Sequence, residues 1–151
     1  MIVLFARRYN LGRWVGLDLG ERRIGVAVSD PLGITAQGVE VYRRKGDQAD
    51  LRYLAQRFAE LDGDGLVLGL PRNMNGSLGP MAEKVREFGE RLGELCGVSP
   101  VYWDERLTTT QATRVLLAAD LSRARRRQVV DQLSAVLILQ SFLDAGAPNK
   151  D

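Results

Sequence analysis

Three acidic features, far apart in the chain, are the groups best suited to chemistry. Asp18 interrupts the apolar start of "WVGLDLGERRIGVAVSD", Asp104 and Glu105 sit together in "VYWDERLTTTQA", and Asp131 opens "VVDQLSAVLILQSFLD". A carboxylate in a strand-like apolar run costs several kcal/mol, as a rough expectation, unless something meets its charge. Acids held together raise one another's pKa and destabilise the fold unless a divalent cation neutralises them. Hard cations favour oxygen ligands, so Mg²⁺ or Mn²⁺ fits this donor set. Singly, each acid has a plainer explanation. Asp18 suits a turn or cap, Asp104 and Glu105 a solvated strand end beside Arg106, and Asp131 the first turn of a helix, where its charge meets the dipole. Convergence of the three is what would make chemistry the better account.

Composition narrows the chemistry further. The 151 residues include no histidine and one cysteine, Cys96. Ser-His-Asp and Cys-His nucleophiles therefore have no base, and zinc sites, disulfides and CxxC pairs have no partners. With 45% hydrophobic residues and a formal net charge of +2, the chain supports one cored domain, and any polyanion must be met by local basic clusters. No apolar run approaches the roughly 18 residues of a membrane span, and "MIVLFARRYN" makes no convincing signal peptide. The expectation is a cytoplasmic protein without a membrane partner, a single domain over residues 1–151 with an N-terminal extension at 1–12 and a C-terminal tail at 146–151.

The elements that must position these acids follow from periodicity. "RWVGLDL", "GVAVS" and "GVEVYRR" read as three strands in an antiparallel meander. Leu51, Leu54, Ala55, Phe58 and Leu61 recur at helical spacing, with Asp47 or Asp50 at the start. The run "GLVLGLP" is a buried parallel strand, and the loop "PRNMNGSLGP" leads to a second helix with Met81, Val85, Phe88, Leu92 and Leu95 on one face. "SPVYW" supplies the fifth strand. Thr108 and Gln111 have capping-box spacing ahead of the helix "ATRVLLAA", and a basic connector "SRARRRQ" precedes the closing helix. The order is βββαβαβαα, an α/β fold with a five-stranded mixed sheet, antiparallel over the first three strands and parallel over the fourth and fifth. Asp18 shares a strand face with Gly16, where a glycine admits close approach. The closing helix suits that approach, because Asp131 lies in line with Ser134, Ala135 and Ile138.

Four stretches, "GLDLGERRIGVAVSD", "VLGLPRNMNGSLGP", "VYWDERLTTTQA" and "VVDQLSAVLILQSFLD", together resemble the YqgF/RuvX family in order and approximate spacing, from about Val15 to Asp144. The resemblance implies a ribonuclease H-like fold, whose members include RuvC-type Holliday junction resolvases, and a nuclease role in maturing the 5′ end of pre-16S rRNA. The family's acids fall on Asp18, the Asp104–Glu105 pair and Asp131. Adjacent strand residues face opposite sides, so only one of Asp104 and Glu105 is expected to reach the metals; Glu105 is favoured, in a catalytic set of Asp18, Glu105 and Asp131, with all four acids candidate metal ligands. In the resolvase relatives the middle acid follows the fourth strand, whereas here that strand ends in "GLP". The implied chemistry is phosphodiester hydrolysis with two Mg²⁺ or Mn²⁺ ions roughly 4 Å apart, which requires no histidine.

Substrate contacts are expected from Arg123, Arg125, Arg126 and Arg127, and from Arg22 and Arg23 in the first turn. Arg106, Asn73, Thr108 and Thr109 complete the candidate nucleic-acid contacts. Backbone N–H groups of "RNMNGS" suit phosphate, although a plain turn has the same composition. The rivals are a four-way DNA junction resolvase, which needs a homodimer where rRNA processing allows a monomer, and an RNA-binding module without catalysis. "DLGERRIGVAVSD" also resembles the phosphate loop of actin-like and sugar-kinase folds, but those need two such domains.

Overall fold

In the computed structural model, residues 12–107 and 123–146 are described, with the side chains of the last helix described from Leu133 onward. Strands β1 (Trp14–Leu19), β2 (Arg23–Ser29) and β3 (Ala36–Arg43) lead into helix α1 (Asp47–Glu60). Strand β4 (Gly65–Leu70), helix α2 (Pro80–Cys96), strand β5 (Val101–Asp104), a 3₁₀ turn (Glu105–Leu107) and helix α3 (Arg123–Asp144) complete the described chain. The strands lie in the order β3-β2-β1-β4-β5. β2 runs antiparallel to both β1 and β3, and β4 runs parallel to β1 and β5, the mixed sheet expected from the sequence.

The period of two in β1 divides the core. Val15, Leu17 and Leu19 join Leu66, Leu68 and Leu70 against Leu51, Leu54 and Phe58 of α1 and Val85, Phe88 and Leu92 of α2. Trp14 and Val67 point to the other face, where Ala135, Leu139, Phe142 and Leu143 of α3 close over them. Burial of such side chains stabilises by about 1.5–3 kcal/mol each. Phe142 is wedged between two indoles, with its ring centroid 4.6 Å from that of Trp14 and 5.7 Å from that of Trp103. The Trp103 indole N–H also donates to Ser141 Oγ at 2.9 Å. Gly16 is a point of close approach, since a Cβ there would lie 2.8 Å from Leu139 Cβ. The strand glycine therefore admits α3, as its place beside Asp18 suggested.

Two details differ from the expectation. The basic run is the first two turns of α3 rather than a connector, because Arg, Ala and Gln are good helix formers and no Gly or Pro separates them from Val129. Leu95 is exposed, because the buried stripe of α2 follows Val85, Phe88, Gly89, Leu92 and Gly93, and Leu95 falls to its side. Asp47 and Asp50 stand in the first turn of α1, as expected, behind an N-cap at Gly46, and Asp50 is buried. The expected helix at "ATRVLLAA" lies outside the described residues, as do most of the N-terminal extension and C-terminal tail. Among the described residues no helix is long and apolar enough to cross a membrane.

Candidate active site

Asp18 and Gly69 follow directly on the paired residues Leu17 and Leu68 of the parallel strands β1 and β4. Asp18 shares the α3 face of β1 with Trp14 and Gly16, and it is half-buried. A Cβ on Gly69 would stand 3.1 Å from Glu105 Cγ and 2.5 Å from Ile138 Cδ1. Glu105 therefore folds back over Gly69, on the α3 face, at the strand end adjoining that of Asp18. A glycine there clears the space, and the carboxylate enters from the end of the next strand.

The packing of α3 sets where Asp131 falls. Phe142 meets Trp14, Leu139 meets Gly16 and Ile138 meets Gly69, so α3 runs antiparallel to β1 and β4. Positions earlier in α3 thus lie nearer the C-terminal ends of those strands. Asp131 is on the i, i+3, i+4, i+7 stripe with Ser134, Ala135 and Ile138, all three of them buried. Its backbone sits on the helix at the edge where Asp18 and Glu105 lie, and its side chain is outside the described residues.

Asp104 has different surroundings. Trp103 faces α3, whereas Tyr102 packs on Gly89 of α2, and Asp104 follows the Tyr102 side. Arg106 grips its carboxylate, with Nη2 donating to Oδ2 at 2.7 Å and Nε to Oδ1 at 3.1 Å. Arg72 Nε lies 3.7 Å from Oδ2. The hydrogen bonds from Arg106 hold this carboxyl below the usual aspartate range against the opposing effect of burial, with the charge of Arg72 assisting.

The β1–β2 turn opens a cleft of about 380 Å³ lined by Asp18, Gly20, Glu21, Arg22, Arg23 and Gly25. The structure thus brings Arg22 and Arg23 to the same cleft as Asp18. Two residues that pin this turn were not legible as functional. The Arg44 N–H donates to Arg22 O at 2.8 Å, and Arg44 Nη1 donates to Gly20 O at 3.0 Å. Arg44 is itself fixed by Asp50, whose Oδ2 accepts from Nε at 2.9 Å. Asp50 is fully buried and also accepts from the Tyr42 hydroxyl and the Lys45 N–H, each at 2.9 Å. Its only sequence signal is a basic residue just before α1 and an aspartate one turn inside it.

Asn73 sits in the loop after β4, where its amide donates to Ser77 Oγ at 3.0 Å. The backbone N–H groups of Asn73, Gly76 and Ser77 close bonds within the loop, so the expected phosphate nest is not open at those three positions. Thr108 and Thr109 lie outside the described residues. Arg123, Arg125, Arg126 and Arg127 lie on the opening turns of α3, with side chains outside the described residues.

Comparison with known proteins agrees with this architecture. The chain is 51% identical over 139 residues to a proposed pre-16S rRNA nuclease of Syntrophomonas wolfei, covering 92% of this chain and 99% of the relative. A protein of the same name from Myxococcus xanthus is 55% identical over 136 residues, covering 90% of each chain. Among solved structures, Thermus thermophilus RuvC in complex with a Holliday junction substrate matches with a TM-score of 0.60 at 12% identity, over 89% of this chain and 96% of that one. The fowlpox virus Holliday junction resolvase matches at 0.54 and 11%, over 88% and 98%. At such identities these two show the fold, which is the expected ribonuclease H-like one. A family model described as RuvX, Holliday junction resolvase, matches residues 12–145, and the chain belongs to that family.

Proposed function

We propose that this protein is a metal-dependent nuclease that hydrolyses phosphodiester bonds in 5′-end processing of pre-16S rRNA. The observation that carries this reading is Glu105 folded over Gly69 on the face and edge that hold Asp18, with the helix bearing Asp131 packed across them. The names of the curated relatives supply the substrate.

The donor set fits divalent Mg²⁺ or Mn²⁺ by its chemistry, because Asp18, Glu105 and Asp131 are all carboxylates, the first two on the α3 face of the sheet and the third carried by α3 itself. Asp18, Glu105 and Asp131 are the residues that would hold the ions. When bound, such ions neutralise charge developing on the attacking and leaving oxygens of the phosphodiester. Asp104 stays out of the metal set, ionised against Arg106 and Arg72. Arg22 and Arg23 bind phosphate beside the reacting group, and the arginines from Arg123 to Arg127 extend that contact along the substrate. Arg106, Asn73, Thr108 and Thr109 stay in the proposed substrate surface.

The glycine beneath Glu105 makes a direct mutational test. Gly69→Ala is expected to push Glu105 off its position and reduce cleavage by about 10- to 100-fold, the scale of a 1 Å misplacement. The same change crowds Ile138 and destabilises the fold by about 1–3 kcal/mol. Unfolding in urea and single-turnover cleavage read the two effects separately.

The second reading, cleavage of branched DNA, draws on the family description and on the likeness to a resolvase caught with its junction. Offering the purified protein a pre-16S rRNA fragment, a linear duplex and a four-way DNA junction, each with Mg²⁺ or Mn²⁺, separates the two. Cleavage of the RNA alone supports rRNA processing, paired cuts in the junction support resolution, and binding without cleavage supports a non-catalytic RNA-binding module.

A further inference from the structure

We infer that Arg43, at the end of the edge strand β3, seats a non-scissile phosphate of the substrate, so that the nucleic acid leaves the candidate active site across β2 toward the edge of the sheet. The inference rests on the nuclease reading above and adds a contact and a direction to it.

Strand register places the residue. Asp18 of β1 stands opposite Gly25 of β2, and Gly25 opposite Val41 of β3. One row nearer the β1–β2 turn, the Gly20 N–H donates to Arg23 O at 2.9 Å, and Arg23 stands directly opposite Arg43. Residues paired in this way point to one face, and their neighbours fix which face it is. Ile24 and Tyr42 belong to the core beneath α1 and α2, and the Tyr42 hydroxyl donates to Asp50 of α1. Arg23 and Arg43 therefore face the α3 side, the side of Asp18. Two strand spacings, about 10 Å, separate the strand of Asp18 from that of Arg43. A substrate whose scissile phosphate lies at Asp18 thus brings a neighbouring phosphate to Arg43.

The fold makes no use of this charge. Arg44, the next residue, turns to α1, where Asp50 and Asp47 take its guanidinium at 2.9 and 2.7 Å. Glu40, the only acid in β3, is held by Arg57 Nε at 2.7 Å on that same side. Among the described residues Arg43 has no ion pair, and it is exposed. An arginine directly opposite an arginine is a destabilising cross-strand pair, so stability does not explain its presence. Nor does α3 cover it. That helix meets the other end of β3, where the Ala36 N–H donates to Gln140 Oε1 at 2.9 Å, about 20 Å along the strand from Arg43.

A single exposed arginine is ordinarily a solvated charge. Arg43 differs because its rung partner, Arg23, lines the cleft of Asp18, and the two carry one basic surface outward from that cleft. The ligand that fits is a phosphodiester, since a guanidinium grips phosphate oxygens in pairs and such contacts fix a substrate's register.

The test uses the RNA or junction that the wild-type protein cleaves, with a neutral methylphosphonate placed in turn at each phosphate flanking the cut. Binding is measured in Ca²⁺ to slow turnover, and single-turnover cleavage is then started with Mg²⁺. Arg43→Gln should weaken binding by about fivefold and lower the slope of log affinity against log salt by about one. Its melting temperature and its cleavage rate at saturating protein should stay close to wild type, and Arg43→Lys should keep most of the affinity. At one flanking position the methylphosphonate should weaken wild type by the same factor and leave Arg43→Gln unmoved, which identifies the contacted phosphate. Arg52→Gln removes an equal charge from the exposed side of α1, across the sheet from Asp18, and should show no such position. Equal binding by wild type and Arg43→Gln, or a loss that Arg52→Gln matches and no methylphosphonate cancels, overturns the contact alone. A fall in melting temperature that accounts for the weaker binding does the same. A wild type that cleaves none of the substrates overturns the nuclease reading and the contact with it.

Discussion

Asp18→Asn is expected to lower Mg²⁺- or Mn²⁺-dependent cleavage by about 10³-fold, a loss comparable with removing a principal electrostatic contact at the reacting centre. The substitution is nearly isosteric and keeps the polar end of β1 in place, so Trp14, Val15 and Leu17 remain packed as they are. It removes one negative charge from the edge where the candidate ligands lie while leaving the side chain's shape unchanged. In metal-free buffer the variant should therefore melt close to the wild-type temperature. Adding Mn²⁺ should raise the wild-type melting temperature by mass action and leave the variant nearly unmoved. A structural role for Asp18 predicts the reverse pattern, with lowered stability and no change in metal response.

Asp50→Ala is expected to be the most destabilising single polar substitution among the described residues, at about 3–5 kcal/mol, the usual cost of removing one partner from a buried ion pair. The change strands Arg44 and Tyr42 and withdraws the acceptor of the Lys45 N–H. It also frees the β1–β2 turn that Arg44 holds beside Asp18, so activity should fall even at temperatures where the variant is folded. Burial by itself would raise the Asp50 pKa. The hydrogen bonds from Lys45, Arg44 and Tyr42 outweigh burial, and the folded carboxyl titrates below its ordinary 3.8. The contribution to stability is therefore complete above pH 3.8 and drains away as pH falls through the lower folded value. Asp50→Asn should remove this acid limb from a plot of unfolding free energy against pH. At the alkaline end, burial and then the Asp50 carboxylate push Tyr42 from 10.0 up to about 12. The unfolded tyrosine loses its proton first, so stability falls between those values as pH rises.

Much of the site was legible from local pattern. The period of two in β1 put Asp18 beneath Gly16, and the small residues around Asp131 marked the side of α3 that docks there. Those inferences needed only strand and helix geometry. The assignment within the Asp104–Glu105 pair needed more, because the 3₁₀ turn after β5 decides which carboxylate folds over Gly69. The two arginines that claim Asp104 come from different loops. Asp50 was hidden for a similar reason. In the first turn of an amphipathic helix an aspartate normally serves the dipole, and only the fold brings Arg44 and Tyr42 from the end of β3 onto it. The arginines before Val129 read as a connector on charge alone, whereas their helix propensity places them on α3. Their place on α3 ties them rigidly to Asp131, which strengthens their candidacy for substrate contact.

The central claim is that Asp18, Glu105 and Asp131 share bound divalent ions. Diffraction from crystals soaked in Mn²⁺, collected at the manganese absorption edge, tests it most directly. The account predicts anomalous density within coordination distance of oxygens from all three residues, and its loss in Asp18→Asn. Manganese bound elsewhere, or an Asp131 carboxylate turned away from an ion held by the other two, would contradict it.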